Sequence, residues 1–300
     1  MLVFFTNPSA TRLLSIAENE HVLEPEELDP ADCPALDMSH PTLAAACIAD
    51  DRIVQVTNRG VVVTAGLSAH FEDVFKRVCE QSRYIIAAAI ETGQSTIVTA
   101  EQEDGTYFVC ATSLPTERDD DETATSASEN HPCKSSLELD IVPTAVAAAP
   151  TRSSVLAAVG TSDGHVVLFE IQGNSIHELC RTTMPSVQDV PCACDYLVLQ
   201  KSENSDDLLA TCGLRDGRLH AITLQHQDSH GYRWGDSNTI DFGATAVKLV
   251  QVPNNRSQAC AMSGSDTCLL SWDGKAARSL AVSNVSVSYT HLTLPTIYSV

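Results

Sequence analysis

One stretch of this chain occurs twice. Val155–Ile171 reads VLAAVGTSDGHVVLFEI, and Leu208–Leu224 reads LLATCGLRDGRLHAITL, 53 residues further on. Identities fall at Leu156/Leu209, Ala157/Ala210, Gly160/Gly213, Asp163/Asp216 and Gly164/Gly217. A weaker copy, Cys260–Leu270, keeps the alanine-to-glycine step through Ala261 and Gly264, and looser copies begin near Ala44 and Ile85. Self-similarity with a period of about 40–50 residues is the signature of a propeller or a solenoid, in which each unit buries its faces against its neighbours.

The repeated units read as strands. They are short runs rich in Val, Ile, Leu and Thr, with Asp-Gly dipeptides at Asp104-Gly105, Asp163-Gly164, Asp216-Gly217 and Asp273-Gly274. Asp-Gly suits a type I′ hairpin, whose two central residues need positive φ. In Gly164–Ile171, His165, Val167, Phe169 and Ile171 share one face and Val166 and Leu168 the other. Both faces are therefore largely apolar, as stacked blades require. Helical spacing occurs once, over Ala69–Gln81, through Phe71, Val74, Phe75 and Val78, and that stretch suits an irregular blade connection equally well. About five blade-like units fit, the first incomplete.

A hydrophobic fraction of 43% supplies a sizeable core and excludes wholesale disorder. The net charge of −21 works against broad wrapping of nucleic acid, which needs Lys and Arg at the phosphates. Two stretches carry two thirds of that charge: Glu18–Asp37 contributes −8 and Glu117–Asp140 contributes −6. Both read as acidic surface loops, the first through Pro25, Pro30 and Pro34, the second because Asp119–Pro132 lacks large apolar residues. The eleven cysteines are irregularly spaced, form no CxxC pair and often sit in apolar runs, as Cys47, Cys110, Cys212 and Cys260 do. They read as reduced, buried thiols of a cytosolic or nuclear protein. Leu2–Phe5 is too short for the apolar region of a signal peptide, and no run reaches the roughly 20 apolar residues of a membrane span.

Several local patterns bear on chemistry. Gly160-Thr161-Ser162-Asp163-Gly164 matches G-x-S-x-G, but a nucleophile elbow needs a following helix and here HVVLFEI follows, so Ser162 and Asp163 read as turn residues. His226 and His230 have the spacing of metal ligands on a helix, yet QHQDSHGYRWGD lacks helical periodicity and reads as a loop. Cys192 and Cys194 share a strand face, but two thiols do not complete a zinc site and Cys180 is twelve residues upstream. The acids of Asp119–Glu122 form a solvated run, which cannot split carboxylate pKa values as acid–base catalysis needs. Trp234 and Trp272 read as core residues. The apolar runs Leu43–Ala49, Tyr84–Ala89, Val155–Val159 and Leu208–Cys212 are the expected inner strands, and they bring no catalytic groups to a central channel. No catalytic residue, cofactor or metal is expected.

Four strings, TRLLSIAENEHVLE (Thr11–Glu24), HPTLAAACIADDRIVQVTNRGVVV (His40–Val63), LLATCGLRDGRLHAITL (Leu208–Leu224) and GATAVKLVQV (Gly243–Val252), follow the order seen in one family, which the chain resembles over about residues 1–285. That family unites the large subunit of the UV-damaged-DNA-binding complex, the large propeller subunit of splicing factor 3b and the large subunit of the cleavage and polyadenylation specificity factor. Fungal relatives in replication-coupled repair and heterochromatin belong to it too. Members carry three seven-bladed propellers and a helical C-terminal domain, and the resemblance corresponds to most of the second propeller.

The resemblance implies an all-β, WD40-like propeller, most of one seven-bladed ring with irregular blades and acidic loop insertions. It further implies a non-catalytic scaffold in a large nuclear complex. The first strings are most similar to the splicing member. Arg83–Pro150 departs from that pattern, which favours a divergent relative of the damage-binding, cullin ubiquitin-ligase adaptor and repair branch. The alternatives are a pre-mRNA splicing subunit and an mRNA 3′-end processing subunit, and a propeller enzyme is the distant one. Implied partners are proteins, a cullin scaffold or splicing and polyadenylation subunits, with nucleic acid met through the complex and no membrane. No partner-binding residue carries over. Val287–Val300 (VSYTHLTLPTIYSV) breaks the blade pattern and resembles a translated sequencing-adapter tail seen at the ends of unrelated sequences, so residues 286–300 read as non-native. A ring missing a blade exposes strand edges, and the isolated chain is expected to be poorly soluble.

Overall fold

The computed structural model describes residues 2–6, 10–19, 22–48, 52–65, 74–78, 82–114, 133–187, 190–202, 206–227, 231–252, 255–284 and 298–299. Five blades each consist of four consecutive antiparallel strands. Blade 2 holds Thr42–Cys47, Ile53–Thr57, Gly60–Thr64 and Val74–Val78. Blade 3 holds Arg83–Glu91, Thr96–Glu103, Thr106–Ser113 and Cys133–Leu139. Blade 4 holds Pro143–Pro150, Val155–Thr161, His165–Gln172 and Ser175–Thr183. Blade 5 holds Cys194–Lys201, Leu208–Leu214, Arg218–Gln227 and Gly231–Asp241. Blade 6 holds Lys248–Gln251, Gln258–Ser263, Asp266–Ser271 and Ala281–Asn284. A sixth four-stranded sheet, blade 1, joins Leu2–Thr6, Thr11–Asn19 and Val22–Glu27 to Tyr298–Ser299, which pairs with Val3 and Phe4. The fold is therefore an all-β propeller, with six four-stranded sheets among the described residues.

The first strand of each blade is the inner one. Blades 3 and 6, separated by two others, meet where Glu91, at the end of one first strand, accepts from Arg256, in the loop that follows the other. Val155–Val159 and Leu208–Cys212 are thus second strands rather than inner ones; Pro143–Pro150 and Cys194–Lys201 take the inner positions. Those second strands are the most apolar because each is covered on both faces, whereas an inner strand borders the channel. Inner strands of blades 2 to 5 each carry a register shift near their start, at Thr42/Ala44, Ile85/Ala87, Pro143/Ala145 and Cys194/Tyr196. Such bulges add local twist, which suits strands crowded around a common axis.

Packing follows the two-faced pattern read from Gly164–Ile171. Val166 and Leu168 join a core with Leu197, Leu199, Leu208 and Ile222 of blade 5. Val167, Phe169 and Ile171 join one with Val98, Ala100 and Val109 of blade 3. The repeated glycines exist for this contact. A Cβ on Gly160 would stand 2.8 Å from Cys194 O, and one on Gly213 only 1.9 Å from Val247 O. Each glycine lets the start of the next blade lie directly on its own. Gly264, the apparent third copy, instead sits in an open turn with nothing within 4 Å, because the blade 6 hairpin is shorter.

Turn geometry follows loop length. The two-residue turn Asp104-Gly105 has positive φ at both residues, 49° and 86°, as a type I′ turn requires. Asp163-Gly164 and Asp216-Gly217 lie in three-residue loops where the glycine alone is left-handed, and the Gly164 and Gly217 amides donate back to Thr161 O and Leu214 O, both at 3.3 Å. These are type I turns closed by a glycine. Asp273-Gly274 forms no hairpin and lies in the long connection to Ala281–Asn284, beside the helical turn Ala277–Ser279.

Three further expectations change. Val74–Val78, inside the helically spaced run, is the outer strand of blade 2; its other residues lie outside the described ones. The acidic stretch 18–37 is not all loop: Val22–Glu27 is an outer strand, where Pro25 is tolerated because an edge needs fewer ladder bonds. The second acidic stretch also ends in a strand, Cys133–Leu139, while residues 115–132 lie outside the described ones. No described helix is long and apolar enough to cross a membrane.

Candidate functional site

The loops that follow the inner strands meet at one mouth of the ring. Arg256, in the first loop of blade 6, reaches past two blades so that Nη2 donates to Glu91 Oε1 at 2.7 Å. Glu91, the last residue of the blade 3 inner strand, is 2% exposed. Its carboxylate also accepts from the Gly93 amide at 3.0 Å and the Gln94 amide at 2.6 Å. Neighbouring loops are stitched in turn. Gln94 Nε2 donates to Ser154 O at 3.1 Å, Arg152 pairs with Asp206 at 2.5 Å, and the Lys201 amide donates to Arg256 O at 2.8 Å. Blades 3, 4, 5 and 6 are thereby linked around the mouth.

This convergence escaped the sequence reading, because Glu91 and Arg256 are 165 residues apart and no motif joins them. It places a charged pair at the channel, where apolar strands alone were expected. Glu91 already receives three donors, so it is arranged as a structural acceptor and not as a general base.

The opposite rim differs in character. Tyr84 and Val142 are each 40% exposed and Val190 is 68% exposed. All three stand at the start of an inner strand or just before it, in blades 3, 4 and 5. Val190 belongs to an extra two-stranded hairpin, Ser186–Val187 with Val190–Pro191, between blades 4 and 5. Beneath this rim Glu101 is fully buried, with Arg83 Nε at 2.5 Å and Thr99 Oγ1 at 2.6 Å. Burial acts to lower the Arg83 pKa, but the charge and hydrogen bond of Glu101, with Cys110 and Glu103 adding to them, together outweigh it and raise it.

The closest approach to a nucleophile's geometry is Asp37-Met38-Ser39-His40. Ser39 Oγ lies 3.1 Å from His40 Nδ1, and Asp37 Oδ2 lies 2.8 Å from the same nitrogen. A catalytic relay uses both ring nitrogens, so this is a turn network and not a triad. Burial acts to raise the Asp37 carboxyl, but hydrogen bonds from Ser39 and His40 outweigh it and hold it below the usual range. The adjoining open recess, about 480 Å³, is lined by Pro30, Pro34, Leu36, Asp37, Met38 and Ser39.

Residues singled out from sequence disperse. Ser162 and Asp163 form a strand-to-strand turn, with Thr161 Oγ1 donating to Asp163 at 2.6 Å. His226 lies in a strand, edge-on to Tyr232 at 5.1 Å, whereas the sequence suggested a loop; His230 lies outside the described residues, as does Asp119–Glu122. Cys194 and Cys212 are buried in the core shared by blades 4 and 5, with Cys180 and Cys192 packed against it. Contact with the Cys212 thiol, together with burial, pushes the Cys194 thiol well up, so it is held protonated. Cys33, Cys47, Cys110, Cys180, Cys192, Cys194, Cys212, Cys260 and Cys268 form no disulfide, and no cluster of three or more potential metal ligands occurs among the described residues. Trp272 is buried, its Nε1 donating to Ala276 O at 3.3 Å, and Trp234 packs against the blade 4–5 core.

The propeller fold and the motif order agree with a comparison against protein families, where the model of the RSE1/DDB1/CPSF1 second β-propeller matches residues 2–293. The chain belongs to this family. No curated protein matches it. The RSE1/DDB1/CPSF1 assignment covers blades 2 to 6 and the first three strands of blade 1, and it agrees with the resemblance carried by Thr11–Glu24, His40–Val63, Leu208–Leu224 and Gly243–Val252. In family terms the molecule is one propeller module, and a module of this form suits a scaffold.

Proposed function

We propose that this RSE1/DDB1/CPSF1-type propeller is a non-catalytic protein-interaction scaffold in a large nuclear assembly, on the damaged-DNA-binding, cullin ubiquitin-ligase adaptor and repair branch. The match to the second propeller over residues 2–293 carries the scaffold part of this reading, and the departure of Arg83–Pro150 from the splicing pattern favours the branch. The Glu91 carboxylate, held by three donors, and the exposed apolar residues Tyr84, Val142 and Val190 support it, since the described charged pair at one mouth is built as a structural link and the other rim offers apolar surface for docking. Partners on this reading are a cullin scaffold and associated proteins, with nucleic acid reached through the complex. The intact ring then has seven blades, the seventh covering the face of blade 6 from which Val250, Cys260, Met262 and Leu269 project half-exposed. A splicing factor 3b-like or 3′-end processing role is the second reading, favoured by the likeness of Thr11–Glu24 and His40–Val63 to the splicing member.

Affinity purification of the full-length protein followed by identification of partners tests the choice. A cullin among the partners is the expected result. Splicing or polyadenylation subunits recovered without a cullin overturn the repair branch and leave the scaffold role standing.

A further inference from the structure

In the pair that crosses the mouth, Glu91 receives three donors whereas Arg256 uses one nitrogen. Glu91 is held by two backbone amides as well as by Arg256, so it stays in place whatever Arg256 does. Arg256 commits Nη2 alone to Glu91; among the described residues nothing accepts from its Nε or Nη1, and its side chain is 45% exposed. Lys201 is its direct neighbour through the backbone bond to Arg256 O. Arg152 follows on blade 4, and the two share Asp206 as counter-charge, at 4.0 Å from Lys201 and 2.5 Å from Arg152. Three cations thus come from three successive blades, Lys201 at a strand end and Arg152 and Arg256 on loops, and the Lys201 and Arg256 segments are joined by a backbone hydrogen bond. A group held in place before binding loses little freedom on binding, which raises affinity. Arginine's planar fork suits a carboxylate, and a partly desolvated one more so.

We propose that this mouth receives a carboxylate from an acidic peptide segment of a partner protein, gripped by Arg256 and flanked by Lys201 and Arg152. The inference rests on the scaffold reading, because it needs a protein partner. Glu91 then has a second role. It competes with the incoming carboxylate for Arg256, so the resting ion pair sets how acidic a segment must be to dock.

The test is fluorescence anisotropy on the whole 300-residue chain. The probes are a labelled peptide of alternating Glu and Gly and its Gln-for-Glu counterpart. The Glu peptide should bind at least about tenfold more tightly than the Gln peptide and weaken as salt rises. Arg256→Gln should reduce Glu-peptide binding to the Gln-peptide level. Glu91→Gln should tighten it severalfold by removing the competitor, and a merely structural ion pair does not predict that. Arg181→Gln, which removes a cation from the opposite rim, should change nothing. Equal binding of the two peptides overturns the proposal. So does unchanged binding by Arg256→Gln, or a loss with Glu91→Gln that matches the loss with Arg256→Gln. Thermal melts accompany each variant; should Arg256→Gln fail to fold, Arg256→Lys, which keeps the charge and loses the fork, must show intermediate binding. The scaffold reading is tested separately by partner recovery. Identical partners on wild-type and Arg256→Gln protein, with no preference for the Glu peptide, sink the carboxylate receptor alone.

Discussion

Blades 4 and 5 differ from blade 6 in one respect that explains much of the molecule. Val155–Thr161 and Leu208–Leu214 are buried at every position. In blade 6, Gln258–Ser263 and Asp266–Ser271 alternate between buried and half-exposed residues. One face of blade 6, with Leu249, Ala259, Ala261 and Leu270, packs on blade 5. The other, with Val250, Cys260, Met262 and Leu269, joins none of the hydrophobic clusters formed by described residues. A propeller strand therefore owes its burial to two neighbours, and a blade with one covered face keeps about half of the apolar contact.

The largest effect should come from matched truncations on the two sides. Leu156 is fully buried in the blade 4–5 core, and Leu156→Ala should cost about 3–5 kcal/mol. Leu269→Ala, on the half-exposed face of blade 6, should cost about 1 kcal/mol. Urea unfolding of both variants measures the difference. Equal losses would show that the outer face of blade 6 is covered after all.

Next comes Gly213→Ala. The added Cβ meets the Val247 carbonyl oxygen at 1.9 Å, and backbone cannot yield as a flexible side chain does. A loss of about 3 kcal/mol is expected, at the upper end of ordinary overpacking. Gly173→Ala is the useful contrast: it meets nothing within 4 Å, so only its φ of +53° opposes the change, at about 1 kcal/mol. A Gly213→Ala melt indistinguishable from that of Gly173→Ala would remove close blade approach as the reason for the repeat.

The fully buried side carries an acid-sensitive group. Burial, reinforced by the Arg218 charge, pushes the His220 imidazole down to about 4, and its Nδ1 lies 2.7 Å from Thr239 Oγ1. The free imidazole titrates near 6.5. Between these values the unfolded chain binds a proton that the folded chain refuses. Stability is therefore complete above about pH 6.5 and falls as pH drops toward about 4, by about 2 kcal/mol at pH 5. Denaturant melts at pH 7.5 and pH 5 check this, and His220→Gln should flatten the slope across that window. A slope unchanged in His220→Gln would assign the acid sensitivity elsewhere.

Legibility followed burial. The central strands of blades 4 and 5 stand out in the sequence because two covered faces leave no polar alternation, and their glycines recur because each performs the same close contact. Outer strands were harder. Val74–Val78 carries Lys76 and Arg77, and with Phe71 in front its apolar residues fall at helical spacing, so composition alone misleads there. Likewise Val22–Glu27 hides in an acidic stretch because an edge strand needs little apolar surface. The mouth was invisible for a different reason. Glu91 and Arg256 are ordinary charged residues at strand ends, and only ring closure over four blades makes them neighbours.

The smallest effect should come from the rims. Arg181 bonds Asp140 through Nη1 at 3.0 Å and Glu178 through Nε at 2.6 Å. The Glu178 hydrogen bond, with Asp140 adding to it, raises the Arg181 pKa further, so its charge is fixed at every accessible pH. The side chain is nevertheless 35% exposed and Asp140 is 66% exposed. Water and salt screen such a pair, and holding long side chains in one geometry offsets part of its attraction. Arg181→Gln should therefore cost below about 1 kcal/mol, with the remaining effect vanishing in high salt. Both measurements follow from urea melts at two ionic strengths. A loss approaching that of Leu156→Ala would mean that the ring is held at its rims, and the contrast between covered and half-covered blade faces would no longer account for where its stability lies.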